Sequence, residues 1–193
     1  MAQKPGYLEQ KLRQTQERLN KEKDIRARLQ KTVKLCGDQL DALSKTRVGK
    51  SPSDSFKKYR AALTQGASLD PDKLNLQQIK SFYTRLAEAA NQYVDAKTQY
   101  GEPSSTDGGI RVKLARDCRD HSNHVNWVIE KTTAHFADRE LPLGKRIEYR
   151  EAEAAELNQQ LEHRRQAEQA AADARKQPRQ PAPLEEIPEI AFG

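Results

Sequence analysis

Residues 7–44 read YLEQKLRQTQERLNKEKDIRARLQKTVKLCGDQLDALS. Apolar side chains recur there in a single heptad frame. Leu8, Leu29, Cys36 and Leu43 take d positions; Leu12, Leu19, Val33 and Leu40 take a positions. Three polar residues, Thr15, Glu22 and Arg26, complete the seam. This spacing predicts one long helix, about 55 Å at ~1.5 Å per residue, prone to coiled-coil pairing. Glu22 and Arg26 are four residues apart, which leaves three readings. They pair along the helix, they fix register against a partner, or the stripe drifts toward Ile25, as an ideal helix drifts against a strict heptad. A parallel homodimer would set Arg18 against Lys23, so antiparallel pairing or packing on the same chain is easier. Gly37 weakens the helix near its end.

The basic character of the protein is concentrated in this segment. Residues 1–50 carry 13 Lys and Arg against 6 Asp and Glu, whereas residues 51–193 carry 21 against 22. Lys11, Arg18, Lys21, Lys23, Arg28, Lys31 and Lys34 surround the apolar stripe. They are the candidate phosphate contacts if the helix meets nucleic acid. No aromatic residues interleave with them for base stacking. Membrane contact through the same cations is a weaker reading.

Only 35% of the 193 residues are hydrophobic and 32% are charged. That balance suits long helices that each bury one stripe better than a compact globule. No apolar run is long enough to span a bilayer, and the first residues, MAQKPGYLEQ, lack a signal-peptide core. The expectation is a soluble intracellular protein, cytoplasmic or nuclear, with reduced, buried Cys36 and Cys118.

Further along, TRVGKSPSDS (46–55) reads as a linker. Its GKS is not a phosphate loop, because the earlier glycine and the preceding strand are missing. Phe56, Tyr59 and Leu63 mark a short helix from Asp54 to Gln65, ended by Gly66. Asp70 and Pro71 open the next, which runs to Gln99 with Leu76, Ile79, Phe82, Tyr83, Leu86, Ala90, Tyr93 and Val94 inward. YGEPSSTDGG (100–109) reads as a loop. Ile110, Leu114, Cys118, His121, Val125, Val128, Thr132 and Phe136 then form the stripe of a fourth helix. Pro142 opens a fifth, whose thin stripe is Ile147, Ala154, Leu157 and Leu161. Beyond Leu161 only alanines remain apolar, so its end should project into solvent.

The fold class is therefore all-α, with no sequence repeat and no strand alternation. It divides into a basic coiled-coil-prone helix (1–46), a central helical bundle (47–138), a charged Ala/Glu-rich helix (139–176) and a Pro-rich acidic disordered tail (177–193). In the tail, Leu184, Ile187, Ile190 and Phe192 stand among three glutamates and suit docking into a groove, or onto the basic helix.

The densest chemistry is DCRDHSNHVNW (117–127). Cys118, His121 and His124 are spaced by three, so the outer two diverge on a helix, and zinc needs converging ligands. A thiol in an apolar stripe is inert. The stretch reads as a helix face: Cys118 and Val125 in the core, His121 at its border, His124 and the aspartates solvated, and Trp127 off the main stripe, where it either widens the core or marks a contact surface. No catalytic residue, metal or cofactor is expected. The function expected is non-catalytic assembly through helical packing, as a scaffold or adaptor. The partner surfaces are Leu12, Leu19, Leu29, Val33 and Leu40 on the first helix and the four apolar residues of the tail. Nucleic-acid binding by the basic helix is the alternative.

Overall fold

A computed structural model describes residues 6–45, 53–99, 105–132 and 140–176. Its described residues form five α-helices and one 3-10 turn, with no strand: α1 (Tyr7–Lys45), α2 (Asp54–Ala67), the turn η1 (Pro71–Lys73), α3 (Leu76–Gln99), α4 (Ser105–Thr132) and α5 (Leu143–Lys176). The chain is all-α.

Helix α1 is the spine. Its C-terminal half packs on α2, its N-terminal half packs on α5, and α4 lies along its flank. α2 packs in turn on α3, and α3 on α4, which closes a four-helix ring. Contacts between residue pairs give the directions. Lys80 reaches Asn126, Thr84 meets Ser122 and Arg111 covers the Tyr93 ring, so α3 and α4 are antiparallel. Glu22 meets Arg146 and Lys11 meets Glu153, so α5 also runs antiparallel to α1. Leu29, Tyr59, Leu63, Leu76, Ile79, Leu86 and Val128 form the center of the core.

The buried side of α1 follows the heptad frame to Glu22; beyond it the d positions Leu29 and Cys36 stay buried, while Ile25 and Thr32 replace the a positions beside them. The drift toward Ile25 is thus real, and Glu22 and Arg26 do not pair with each other. Glu22 is buried and accepts from Arg146 of α5 at 2.7 Å, while Arg26 bonds Asp72 of η1 at 2.6 Å. Each polar seam residue meets a different element of its own chain.

Local chemistry sets the helix starts. Ser53 caps α2 by accepting from the Phe56 amide. Asp70 and Pro71 open η1 rather than α3, with Asp70 accepting from the Asp72 amide. The start of α3 belongs to a reciprocal pair: Asn75 Oδ1 accepts from the Gln78 amide and Gln78 Oε1 accepts from the Asn75 amide. This is a capping box, and its two bonds outweigh the preference of proline for a first helical turn. On its way from α2 to α3 the chain at η1 also touches the start of α5, where the Leu143 amide donates to the Leu74 carbonyl at 2.8 Å.

Gly66 does not end α2. It lies buried in the last turn, where an added Cβ would sit 2.6 Å from Cys36 Sγ and 3.1 Å from the Phe82 ring. Its small size lets α1, α2 and α3 converge. Helix α4 begins at Ser105, five residues before Ile110. Ser, Thr and Asp at 105–107 are residue types that favor a helix start. Ile110 is exposed and Arg111 takes the inward place, its guanidinium lying over Tyr93 at 4.8 Å from the ring centroid. A cation on an aromatic face is a stable neighbor there.

On α5 the expected stripe holds: Ile147, Ala154, Leu157 and Leu161 are buried, together with Leu143 and Arg150. Residues 162–175 are all exposed, so the end of the helix projects as an arm. Phe136 and the tail, 177–193, lie outside the described residues. No described helix is long and apolar enough to cross a membrane.

Candidate functional site

The stretch 117–127 lies on α4, and its inward face is Cys118, Ser122 and Val125. The edge toward α1 carries Asp117, His121 and His124. Across from it α1 presents Asp24, Arg28, Lys31, Thr32 and Leu35. The two helices are held apart enough to leave a cleft of about 340 Å³, with Leu114 and Cys118 also in its wall.

The charges in this cleft balance. Arg28 donates to Asp24 at 2.7 Å, and Lys31 and Asp117 complete the set. His121 packs edge-on against Tyr83 with centroids 5.2 Å apart. Burial, and then the Arg28 charge, hold its pKa below the ordinary histidine value, with Asp117, Asp120 and Asp24 pulling the other way. It is neutral at pH 7. His124 stacks on Trp127, and its Nε2 lies 3.5 Å from Asp24 Oδ2. It is half-buried rather than solvated, and burial and Arg28 also lower its pKa.

Cys36 and Cys118 are buried and unbridged. Burial pushes each thiol up to about 12. At neutral pH both stay protonated, and a thiol in that state is neither nucleophile nor metal ligand. Among the described residues, no three His, Cys, Asp or Glu side chains converge to hold a metal ion.

At its outer end the seam is marked by Trp127, 42% exposed. Lys21 Nζ stands over its ring at 4.4 Å from the centroid. The sequence places Trp127 off the main stripe, and the structure exposes it; the sequence carries no sign of Lys21, because that contact joins residues more than a hundred positions apart.

The candidate partner residues of α1 lie against the chain's own helices. Leu19 and Leu29 are in the core, Val33 and Leu40 pack against it, and Leu12 is half-buried. Leu184, Ile187, Ile190 and Phe192 lie outside the described residues. Of the basic candidates, Lys11 pairs with Glu153, Lys23 with Glu151 and Arg28 with Asp24. Arg18, Lys21, Lys31 and Lys34 have no ion pair among the described residues. The carboxylates of α5 thus neutralize part of the basic helix, a pairing that net charge by segment does not reveal.

The Glu22–Arg146 pair also had a partial sign in sequence. Arg150, beside it, occupies a core position in the series Leu143, Ile147, Arg150, Ala154, Leu157, Leu161, as Glu22 does in the heptad seam. Arg146, which Glu22 does meet, stands outside that series, so the spacing shows a charge in each stripe but not the pair. No family model, no curated protein and no solved structure matches the chain.

Proposed function

We propose that this protein is a non-catalytic assembly protein, a scaffold or adaptor that joins protein partners through helical surfaces. The supporting observation is the arm. Helix α5 is anchored on α1 as far as Leu161, and residues 162–175 then continue as helix with every side chain exposed. An isolated helix this short is marginal in water. Here it continues an anchored one, is rich in Ala, Gln, Glu and Arg, and carries an Arg164–Glu168 pair at 2.8 Å. These features hold it straight. A rigid arm beyond a closed core gives the molecule reach that its own packing does not use.

The test is size-exclusion chromatography with light scattering on the full chain, recording absorbance at two wavelengths. A mass above the 21.9 kDa monomer with a protein spectrum supports assembly. A monomer carrying nucleic acid that salt removes would put the second reading first. That second reading, phosphate binding by α1, is favored by exposed Lys31 and Lys34 and opposed by the pairing of Lys11, Lys23 and Arg28.

A further inference from the structure

We infer that the acidic tail of one copy docks on the Trp127–Lys21 patch of a second copy. This rests on the assembly reading and names its partner and its contact. The patch spans two helices. Trp127 offers an exposed ring on α4, and Lys21 of α1 lies over it. Arg18 stands one turn before Lys21 on α1, and Lys131 one turn after Trp127 on α4. None of these three cations has an ion pair among the described residues.

The nearby carboxylates, by contrast, are already engaged. Asp24 accepts from Arg28 at 2.7 Å, Glu17 from Arg13 at 3.2 Å and Glu130 from Asn126 at 2.7 Å. Asp120, two turns back along α4, is the next on that face. Asp24 and Glu17 are each matched by an arginine, whereas neutral Asn126 leaves the Glu130 charge in place; against Arg18, Lys21 and Lys131 the patch keeps a net positive charge beside an aromatic surface. Aromatic residues in such settings are frequent anchors of protein interfaces.

The tail has the complementary chemistry. Residues 184–192 read LEEIPEIAF, with Leu184, Ile187, Ile190 and Phe192 set among Glu185, Glu186 and Glu189. Apolar anchors can cover the Trp127 ring while carboxylates meet Lys21, Arg18 and Lys131.

Chain length decides which copy supplies it. Gly6, at the start of α1, lies beside Arg164 of α5. From that level the arm carries Lys176 about 18 Å further out, while Lys21 lies about 22 Å in the opposite direction. The tail must therefore cross roughly 40 Å. Leu184 is eight residues past Lys176 and reaches at most about 29 Å when fully extended. Even Ile187, eleven residues on, only just attains 40 Å in a fully stretched chain. Ile190 and Phe192, fourteen and sixteen residues on, span about 50 and 58 Å at full extension, so it is seating Leu184 or Ile187 on Trp127, with Glu185 and Glu186 beside them, that takes a second copy.

Trp127 is the only tryptophan, and residues 177–193 contain neither tryptophan nor tyrosine. Its emission therefore reports the patch directly. The experiment follows emission and scattered mass of the full chain across a wide concentration range. The expected result is a blue shift of emission that rises together with mass and weakens with added salt. Lys21→Glu, and separately Ile187→Asp with Ile190→Asp, should each weaken association roughly tenfold or more. Glu185→Lys with Glu186→Lys, combined with Lys21→Glu, should restore part of it. Circular dichroism checks that each variant keeps its helices. If mass rises in every variant as in the wild type, docking of the tail is overturned while assembly stands. A wild-type chain that remains a monomer throughout overturns it as well.

Discussion

Glycines 37, 66 and 144 differ in what surrounds them, although a glycine in a helical stretch looks the same in sequence at each place. Around Gly37, nothing lies within 4 Å of the place where a methyl group would go. Gly37→Ala should stabilize the protein by about 1 kcal/mol, the ordinary helix-propensity gain. Gly66→Ala places carbon 2.6 Å from Cys36 Sγ and should destabilize it by roughly 1–3 kcal/mol, as overpacking does. Gly144 is the same kind of site, because its added carbon would meet Asp72 Cβ at 2.9 Å. Chemical denaturation of the Gly37 and Gly66 variants checks both signs. The histidines make a second prediction at this scale. In the unfolded chain His121 and His124 take up protons near pH 6.5; in the fold, burial and Arg28 push uptake lower. Below about pH 6.5 the unfolded state then binds more protons, so stability falls as pH falls through the lowered folded values. Above that range these two groups contribute nothing. Melting temperature measured from about pH 7 down to about pH 5 should drop, and His121→Asn should flatten the curve.

The pairing of α1 with α5 carries the prediction at the scale of elements. Both partners of the Glu22–Arg146 contact are at most 2% exposed in their side chains. Two charges taken out of water are held by their mutual hydrogen bonds, donated from Arg146 Nε and Nη2 to Glu22 Oε1. Glu22→Ala removes the carboxylate that faces the buried Arg146 guanidinium and should cost about 3–5 kcal/mol. Glu22→Leu with Arg146→Met should cost less than either single change, because neither charge of the pair is left facing the gap of the other. Thermal melts of the three variants test this ordering. Element starts were legible to different degrees. Ser53 and Pro142 mark theirs in sequence. The start of α3 was not read, because the reciprocal bonds of Asn75 and Gln78 outweighed the stronger-looking Asp70–Pro71 signal two turns earlier.

Taken as one molecule, the chain is a closed bundle continued by an arm, and the two parts should differ in resistance to cleavage. Arg165 and Arg175 lie on exposed helix, with Arg164 beside Gly6 at its base, whereas the arginines at 111, 146 and 150 are buried. Among the described residues, limited trypsin digestion should cut within 164–176 before it cuts the bundle, and leave a helical fragment whose melting temperature is close to that of the intact chain. Early cuts within α1 or α3 would contradict the packing described for the spine.

Sequence alone determined the helices. Periodic apolar spacing is a local property, and it set the class, the inward faces of α3 and α5, the long α1 and the bare end of α5. It also placed Cys118 and Val125 in the core, because a stripe on one helix needs no knowledge of what covers it. The tertiary structure decided what covers each stripe. The heptad seam of α1 is the same whether a second molecule or α2, α4 and α5 lie on it, so periodicity could not choose between them. Glu22, Arg26, Lys11 and Lys23 were legible as charges but not as pairs, since their partners lie 46 to 142 positions away. Distance along the chain carries no Coulomb energy; distance in space does. That is why the basic helix of the sequence becomes, in the fold, a partly neutralized one with Trp127 and Lys21 at its edge.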